Sequence, residues 1–351
     1  MRAWLNRRFN QWFNHWLNKQ WQTIGLAHIV LIPLSWLFAA LAALRRWLYQ
    51  QHILNSYRLP VPVIVVGNIS VGGTGKTPLV IYLAEQLKQL GYTPGIISRG
   101  YGGHSIGQVA ATSNPIAFGD EPVLIAKRSA SPVWVNPNRV EAGRALLQAH
   151  PECNVIISDD GLQHYALQRD VEIVVVNSKH SFGNQRLLPA GPMREKVSRL
   201  SCVHGIVDTA RVGLKTIISV DKLPPVFAMS LHMQGIFSLD DKTKTSLAAL
   251  KQQNVVAMAG IGHPERFFNF VKGLGLNCEY RAFNDHHAFT QQDFAGLQQK
   301  TLLMTEKDAV KCKQLTLNNA WYMPVSAMLA QEHSQTTLIN LIIKQLDTRA
   351  R

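Results

Sequence analysis

The stretch Pro62-Val63-Ile64-Val65-Val66-Gly67-Asn68-Ile69-Ser70-Val71-Gly72-Gly73-Thr74-Gly75-Lys76-Thr77 decides the fold of this 351-residue chain. It begins as a continuous apolar run of strand length, rich in Val and Ile, and stops at a glycine-rich turn. Apolar residues at helical spacing follow directly, at Leu79, Tyr82, Leu83, Leu87 and Leu90. The order of strand, glycine-rich loop and helix predicts a phosphate-binding loop.

The chemistry of this loop favours a nucleotide as its ligand. Glycines let successive backbone N–H groups turn inward around anionic oxygens at the positive end of a helix. Lys76 is expected to reach the β- and γ-phosphates, and the Thr77 hydroxyl to ligate Mg²⁺. Ser70 stands where the G-x-x-x-x-G-K-T pattern usually has its first glycine. The predicted nucleotide-binding residues are Ser70, Val71, Gly72, Gly73, Thr74, Gly75, Lys76 and Thr77.

From residue 62 to about residue 221 the sequence alternates strand-like and helical segments, which predicts a doubly wound, mostly parallel sheet. Ligands of such sheets bind beyond the carboxyl ends of the strands. Asp159 and Asp160 follow the apolar run 155–158, where a P-loop enzyme places carboxylates that hold Mg²⁺. An Asp at the end of a strand can also simply cap the next helix. Together with the glycine-rich loop, the pair predicts a metal site formed by Thr77, Asp159 and Asp160.

Two further segments carry polar residues at predicted loop positions. Gly119-Asp120-Glu121-Pro122 opens another helix, and its acidic residues could serve only to favour the first turn. Residues 184–195 form a loop with Pro and Gly that contains Arg186 and Arg194, and paired arginines suit an anionic substrate.

A second, smaller α/β unit is predicted after residue 221. Its predicted strands are 255–259, 278–283 and 301–304, with a helix at 291–299 and a loop at 305–308. The turn Asp285-His286-His287 follows the second of these strands. The predicted domains are therefore an amino-terminal membrane-helix region at 1–55, a P-loop core at 56–221 and a smaller carboxyl-terminal domain at 222–351.

The amino-terminal quarter of the chain is strongly basic. The net charge is +14, and no Asp or Glu precedes Glu85. Residues 4–21 have Trp, Phe and Leu at helical spacing between Arg, Asn and Lys, which is typical of a helix in a membrane interface. Residues 24–44 follow without any charged residue, and at 1.5 Å per residue such a run is about 30 Å long, enough to span a bilayer core. Pro33 leaves open a kinked helix that dips into one leaflet.

Other interpretations of the basic end are less consistent with the sequence. A signal peptide does not have such a long aromatic segment before its apolar part, whereas a buried helical hairpin remains an alternative. Nucleic-acid binding is permitted by the charge, but basic residues beside an uncharged apolar run fit lipid better. The four cysteines are far apart and lack metal-ligand spacing, so they are expected to be reduced cytosolic thiols.

Read together, the motifs resemble the tetraacyldisaccharide 4′-kinases, the lipid A 4′-kinases of Gram-negative bacteria. The resemblance extends from the amino-terminal helix to beyond residue 310. The motifs that carry it are Gly67-Asn68 and the loop to Pro78, Ser98-Arg99-Gly100-Tyr101-Gly102, Gly119-Asp120-Glu121-Pro122, Asp159-Asp160-Gly161-Leu162-Gln163-His164, Pro189-Ala190-Gly191-Pro192-Met193-Arg194-Glu195, Ala259-Gly260-Ile261-Gly262-His263-Pro264, Asp285-His286-His287 and Thr305-Glu306-Lys307-Asp308. Ser70 in the loop agrees with the family's own pattern.

The resemblance implies an ATP- and Mg²⁺-dependent kinase that phosphorylates the 4′-hydroxyl of an acylated, anionic disaccharide 1-phosphate. It places the enzyme at the cytoplasmic side of the inner membrane, with no nucleic acid and no known protein partner. It also implies that Asp120 is the base beside the sugar hydroxyl, with His286 as its partner and Lys76 as a further catalytic residue. The expected substrate-binding residues are Gln163, Arg194 and Glu121.

An alternative of another class is a membrane-tethered P-loop ATPase or GTPase that switches a partner protein. GTP is disfavoured, because Thr305-Glu306-Lys307-Asp308 does not match the guanine-binding N-K-x-D pattern. Phosphate release measured with and without a lipid acceptor separates the two activities.

Overall fold

The structure is a computed structural model that describes residues 16, 20, 21, 23–179, 182–210, 214, 217, 218, 220, 222–330 and 337–350. The helices are α1 (His28–Gln50), α2 (Lys76–Gln89), α3 (Pro115–Phe118), α4 (Asp120–Ser129), α5 (Arg139–Ala149), α6 (Leu247–Lys251), α7 (Pro264–Gly273), α8 (Glu306–Cys312) and α9 (Leu338–Ala350). Val197–Cys202 and Gln291–Phe294 are short 3₁₀ helices.

The strands alternate with these helices along most of the chain, as the sequence predicts. They are β1 (Val63–Gly67), β2 (Pro94–Ser98), β3 (Gly107–Val109), β4 (Val133–Val135), β5 (Val155–Asp159), β6 (Val171–Val176), β7 (Gly205–Asp208), β8 (Val226–Met233), β9 (Ile236–Ser238), β10 (Lys244–Thr245), β11 (Val255–Ala259), β12 (Cys278–Ala282), β13 (Thr301–Thr305), β14 (Ala320–Met323) and β15 (Val325–Leu329). The predicted α/β class is confirmed.

The contacts divide the chain into two compact units. Unit 1 comprises Met1–Lys76, Ser158–Ser230 and Leu329–Arg351, and unit 2 comprises Thr77–Ile157 and Leu231–Met328. The predicted domain ranges 1–55, 56–221 and 222–351 stay a prediction.

Unit 1 is built around parallel strands in the order β8-β7-β6-β1. Ile64 pairs with Val171, Ile173 with Gly205, and Ile206 with Val226. All residues of β1, β6 and β7 are buried. Their almost continuous apolar sequences are what a parallel sheet covered on both faces requires.

Unit 2 contains two groups of strands. β2 pairs in parallel with β4, and β4 pairs antiparallel with β3. A separate sheet has the order β10-β9-β14-β13-β11-β12. Alternate residues of β11 enter two different apolar clusters, with Val256 and Met258 on one face of this sheet and Val255, Ala257 and Ala259 on the other. The central strand β11 is therefore covered by apolar residues on both faces, whereas most residues of the edge strand β12 are exposed or half-buried.

Helix α1 has an unusual distribution of polar and apolar side chains. It is long and apolar enough to cross a membrane by length and composition, with a mean hydropathy of 1.7, yet only 11% of its most apolar window is buried. A core helix of a soluble protein is mostly buried, and α1 is not. The buried residues of α1 are the polar His28 and Ser35, which lie two turns apart on one face. The predicted amphipathic helix at 4–21 lies outside the described residues apart from positions 16, 20 and 21.

Two expectations for the smaller α/β unit were wrong. The predicted helix at 291–299 is only the 3₁₀ turn Gln291–Phe294. The predicted loop at 305–308 is instead the start of α8, which Thr305 caps by accepting a hydrogen bond from the backbone N–H of Asp308.

Candidate active site

The glycine-rich loop in unit 1 has the form that its sequence predicts. β1 ends at Gly67 and α2 begins at Lys76. Gly72 and Gly75 have backbone φ angles of 109° and 95°, which residues with a Cβ rarely adopt. The Asn68 amide donates hydrogen bonds of 3.4 Å to the Gly72 carbonyl and to the Thr74 hydroxyl. These bonds stabilise the turn, whose role in nucleotide binding stays a prediction.

Lys76 and Arg194 meet at the carboxylate of Asp160. The Lys76 Nζ lies 3.4 Å from Asp160 Oδ1, and the Arg194 guanidinium donates to both carboxylate oxygens, at 3.3 and 3.1 Å. Burial by itself would raise the pKa of Asp160, but the charges of Lys76 and Arg194 outweigh it and lower the pKa to about 2. Asp160 is therefore ionised throughout the physiological pH range. The structure brings three of the predicted site residues together.

The residues predicted to hold Mg²⁺ have suitable chemistry. Asp159 is the buried last residue of β5, Asp160 follows it, and Thr77 is the second residue of α2. Mg²⁺ in phosphoryl-transfer sites is held by one or two carboxylates together with substrate phosphates and water. Among the described residues there is no cluster of three or more His, Cys, Asp or Glu that could hold a metal. A site completed by phosphate oxygens is consistent with both facts, so the donor set fits Mg²⁺.

The loop that carries Arg194 lies along the glycine-rich loop. The Val71 N–H donates to the Pro192 carbonyl at 2.8 Å, and the Arg194 N–H donates to the Ile69 carbonyl at 2.7 Å. These backbone bonds fix the Arg194 side chain beside Lys76.

Gln163, predicted to bind substrate, makes two hydrogen bonds within unit 1. Its amide donates to the Asn68 carbonyl at 3.1 Å and to Glu195 Oε1 at 2.7 Å. The Tyr165 hydroxyl donates to the other oxygen of Glu195 at 2.8 Å. Burial and the Glu195 charge raise the pKa of Tyr165 to about 12, so its hydroxyl remains a donor. Gln163 thereby links the start of the glycine-rich loop to the loop that carries Arg194.

A buried ion pair supports this arrangement, and no pattern in the sequence indicates it. The Arg199 guanidinium donates to both oxygens of Glu172 at 2.6 and 2.7 Å, and Arg169 donates to Glu172 at 3.0 Å. Burial would lower the pKa of Arg199, but the bonds to Glu172 raise it. Arg199 also lies 3.4 Å from Glu195. The pair therefore connects β6 to the residue that holds Gln163.

In unit 2, Asp120 is the first residue of α4 and only 3% of it is exposed. Gly119 precedes it with a φ of 93°, and a Cβ there would lie 2.7 Å from the Tyr101 carbonyl oxygen. Only glycine fits this turn. Gly119 thus allows the backbone that leads into α4 to pass close to the Tyr101 carbonyl.

His286 contacts Asp120, as the family resemblance implies. Its Nδ1 lies 3.0 and 3.1 Å from the two carboxylate oxygens of Asp120. Because an ionised carboxylate only accepts, Nδ1 carries the hydrogen and donates it. The Tyr101 ring packs against the imidazole with 5.0 Å between ring centroids. The structure therefore brings the two predicted acid–base residues into direct contact.

The pKa values of the two groups move in opposite directions. Burial would raise the pKa of Asp120, but the hydrogen bond from His286 and the charges of Lys307 and Lys311 outweigh burial and hold the pKa below its ordinary value. Burial would lower the pKa of His286, but the bond to Asp120 and the carboxylate charge raise it. The contact thus favours an ionised carboxylate beside a protonated imidazole.

Glu121, the third predicted substrate-binding residue, accepts a hydrogen bond from Lys307 at 3.1 Å. Lys307 comes from the first turn of α8, which overlaps the loop predicted at 305–308. Thr305 and Asp308 at the start of α8 have the spacing of a helix cap, and this signal could have placed Lys307 and Lys311 on a helix.

Three comparisons with known proteins agree. A family model described as tetraacyldisaccharide-1-P 4′-kinase matches residues 27–344. The tetraacyldisaccharide 4′-kinase of Methylobacillus flagellatus is 47% identical over 337 residues, which cover 94% of this chain and 97% of that protein. That of Dechloromonas aromatica is 47% identical over 342 residues, covering 95% and 98%. The crystal structure of LpxK from Aquifex aeolicus in complex with ATP has a TM-score of 0.75 at 31% identity, covering 90% of this chain and 98% of that one.

Proposed function

This chain belongs to the tetraacyldisaccharide-1-phosphate 4′-kinase family, and we propose that Asp120 and His286 carry the proton transfer of its reaction. The protein is an ATP-dependent kinase of lipid A biosynthesis that transfers the γ-phosphoryl group of ATP to the 4′-hydroxyl of a tetraacyldisaccharide 1-phosphate. A P-loop switch protein is not favoured. The observation that supports the role of the pair is the buried carboxylate of Asp120, hydrogen-bonded to Nδ1 of His286 at 3.0 Å.

The proposed role of Asp120 follows from the weak acidity of the sugar hydroxyl that is phosphorylated. A sugar hydroxyl is a weak nucleophile at neutral pH, and a carboxylate beside it accepts its proton as the bond to phosphorus forms. Asp120 remains ionised because its pKa is held below the ordinary value. His286 fixes the orientation of this carboxylate and can share the accepted proton.

The proposed role of the glycine-rich loop is to bind the nucleotide. Residues 70–77 surround the phosphates with backbone N–H groups, and the Lys76 ammonium supplies positive charge at the β- and γ-phosphates. Thr77, Asp159 and Asp160 would hold Mg²⁺, which neutralises charge on the transferred phosphoryl group. Of the three predicted substrate-binding residues, Arg194 has a side chain that is 30% exposed and suits an anionic group. Gln163 and Glu121 are proposed to act through the residues they bind.

We further propose that α1 contacts the inner membrane from its cytoplasmic side, where ATP is available. The side chains of Trp36, Leu37, Leu41 and Leu44 are exposed, although they are apolar. On the opposite face, the Ser35 hydroxyl donates to the Leu187 carbonyl at 2.8 Å and His28 Nε2 lies 3.0 Å from the Ala190 carbonyl. The polar face of α1 is thus bound to the loop that carries Arg194, which leaves the apolar face for lipid.

The acid–base assignment is tested by a double-mutant cycle. Asp120→Asn and His286→Ala are each expected to lower kcat by about 10²- to 10⁴-fold, the range of general acid–base catalysis, with ATP affinity little changed. Because the two groups act as a unit, the double variant should lose far less than the product of the single losses. Multiplicative losses would show that the residues act independently. Near-normal turnover of Asp120→Asn would exclude it as the base.

The membrane proposal is tested by sedimentation with vesicles of phosphatidylethanolamine and phosphatidylglycerol. The variant Leu37→Glu/Leu41→Glu is expected to bind vesicles at least roughly tenfold more weakly, since each charge is unfavourable in lipid. Both positions are 58% exposed, so folding and ATP binding should be unaffected. A variant with the same added charge at exposed sites, Gln89→Glu/Gln252→Glu, is the control. Equal vesicle binding by the two variants would contradict the proposal.

A further inference from the structure

Lys307 is an ammonium group surrounded by carboxylates beside the Asp120–His286 pair. Its Nζ lies 3.1 Å from Glu121, 3.3 Å from Asp285 and 3.8 Å from Asp120. Its side chain is largely buried. Burial would lower the pKa of Lys307, but the charges of Glu121, Asp120 and Asp285 outweigh it and raise the pKa above the ordinary value. The group is therefore a fixed positive charge.

The contacts of Lys307 join the two segments that carry the pair. Glu121 follows Asp120 on α4, and Asp285 precedes His286 in the loop after β12. One ammonium group thus binds a neighbour of each member of the pair and approaches Asp120 itself. The geometry fixes the loop of His286 relative to the start of α4 without using a hydrogen bond of either acid–base residue.

A second lysine, one helical turn away, reinforces the same charge. Lys311 Nζ lies 3.9 Å from Asp120, 2.8 Å from Asp308 and 3.1 Å from the Gly260 carbonyl. Asp308 is itself fixed, because it accepts a hydrogen bond from the Gly260 N–H at 3.0 Å. Within the part of the chain that the structure describes, the ionisable and charged groups around the pair are Glu121, Asp285, Lys307, Asp308, Lys311 and Tyr101, whose ring packs on the imidazole. Lys307 touches a carboxylate on each side of the pair, Glu121 beside Asp120 and Asp285 beside His286.

We propose that Lys307 is a positioning residue for phosphoryl transfer, which holds Asp120 and His286 together and whose positive charge opposes the uptake of a proton by the pair. This inference rests on the proposed role of Asp120 as the base. The positive charge of Lys307 opposes protonation of Asp120 and of His286 alike. Without it, both groups retain protons at higher pH, and because they are in contact they titrate as one coupled unit.

The test is the pH dependence of kcat/KM for transfer of labelled phosphate from ATP to a tetraacyldisaccharide 1-phosphate in mixed micelles. Lys307→Met, which keeps most of the length but removes the charge, is expected to move the rising limb of the profile upward by about one pH unit or more, the usual effect of a charge within 4 Å. The ratio of wild-type to variant kcat/KM should therefore fall by about tenfold between acidic and alkaline pH. Lys307→Arg should restore the wild-type limb, since it retains the charge.

A matched control is available near the end of the same helix. Lys313 binds Asp241 at 2.8 Å and has no contact with the pair among the bonds and ion pairs of the described residues. Lys313→Met should leave the limb in place. The inference is overturned if the ratio of wild-type to Lys307→Met kcat/KM is the same at every pH. It is also overturned if Lys307→Arg does not restore the wild-type rising limb, because Lys307 would then have only a structural role.

A variant that removes a negative charge, Asp285→Asn, tests the inference in case Lys307→Met does not fold. The Asp285 side chain is 41% exposed and its charge raises the pKa of His286. Asp285→Asn should therefore move the limb to lower pH, and a limb that stays or rises would overturn the inference. Asp120→Asn separates this result from the proposed function. If Asp120→Asn is inactive but the rising limb moves in neither Lys307→Met nor Asp285→Asn, the role of Lys307 is wrong and the role of Asp120 stands. If Asp120→Asn is active, Asp120 is not the base and the proposed function itself is wrong.

Discussion

The close approach of Gly67 to Leu162 predicts that Gly67→Ala, which adds one methyl group, lowers both the stability and the turnover of the protein. Gly67 ends β1, and a Cβ at this position would lie 2.6 Å from the Leu162 Cβ and 3.2 Å from the Leu162 backbone nitrogen. Neither atom can move away by a change of rotamer, because both belong to or adjoin the backbone. Gly67→Ala must therefore displace the loop that follows Asp159 and Asp160.

The size of the effect follows from that distance. Ordinary contacts begin at 3.4 Å, so the two segments must separate by about 0.8 Å. Overpacking of this kind in a core usually destabilises by about 1 to 3 kcal/mol, and in a unit of this size each kcal/mol lowers Tm by roughly 2 to 4 °C. A shift of about 1 Å in a catalytic group can reduce turnover by about 10²-fold. We therefore expect a Tm lower by several degrees and kcat lower by at least about tenfold.

The assay combines thermal unfolding with initial rates at saturating ATP and lipid acceptor. Gly273→Ala is the control, because no atom lies within 4 Å of its added Cβ at the end of α7. It should unfold and react like the unmodified protein or be slightly more stable, since Ala favours a helix. A Gly67→Ala protein with unchanged Tm and kcat would refute the close packing of β1 against the loop after Asp160.

Three other predictions concern charged side chains: Lys76, Glu172 and the Asp120–His286 pair. Lys76→Ala should lower kcat by roughly 10²-fold or more, because it removes the charge at the transferred phosphoryl group, and near-normal turnover of the folded variant would contradict the nucleotide site. Glu172→Ala removes the carboxylate that binds buried Arg199 in a bidentate manner, so the free energy of unfolding measured with denaturant should fall by about 3 to 5 kcal/mol. A decrease below about 1 kcal/mol would mean that solvent reaches the ion pair. The contact of Asp120 with His286 should stabilise the fold most between pH 3.8 and 6.5. The lowered pKa of Asp120 gives stability that is lost as pH falls below this window, and the raised pKa of His286 gives stability that is lost as pH rises through its folded value. The difference in unfolding free energy between wild type and His286→Ala should therefore shrink at alkaline pH, and a constant difference would contradict the pKa shifts.

The parts of the site that the sequence predicted lie where a local pattern determines the structure. A run of Val and Ile that ends in glycines can only be a buried strand followed by a turn, so the positions of Lys76 and Asp160 followed from a few neighbouring residues. Asp120 begins α4 for an equally local reason, because Gly119 supplies the positive φ that precedes it. The contact with His286 was anticipated from the family resemblance alone, since 166 residues separate the two.

The supporting residues could not be predicted, because their partners are distant in sequence. Glu172 and Arg199 are 27 residues apart, and nothing in the almost continuous apolar run of β6 shows whether its glutamate is buried or exposed. Lys307 was missed for a different reason. Residues 305–308 lack apolar periodicity, so they were interpreted as a loop, whereas the hydrogen bond from the Asp308 N–H to Thr305 begins a helix there.

The position of Lys307 resolves a conflict in the requirements of a kinase base. A buried carboxylate without a cation would keep its proton at neutral pH, whereas one bonded tightly to a lysine would be too weak a base to accept the proton of a sugar hydroxyl. Lys307 makes its shorter contacts with Glu121 and Asp285 and stays 3.8 Å from Asp120. Its field therefore keeps Asp120 ionised while the hydrogen bond to the carboxylate comes from His286, which can share the accepted proton. A charge change at position 307 should consequently alter the rate of phosphoryl transfer more than the affinity for ATP.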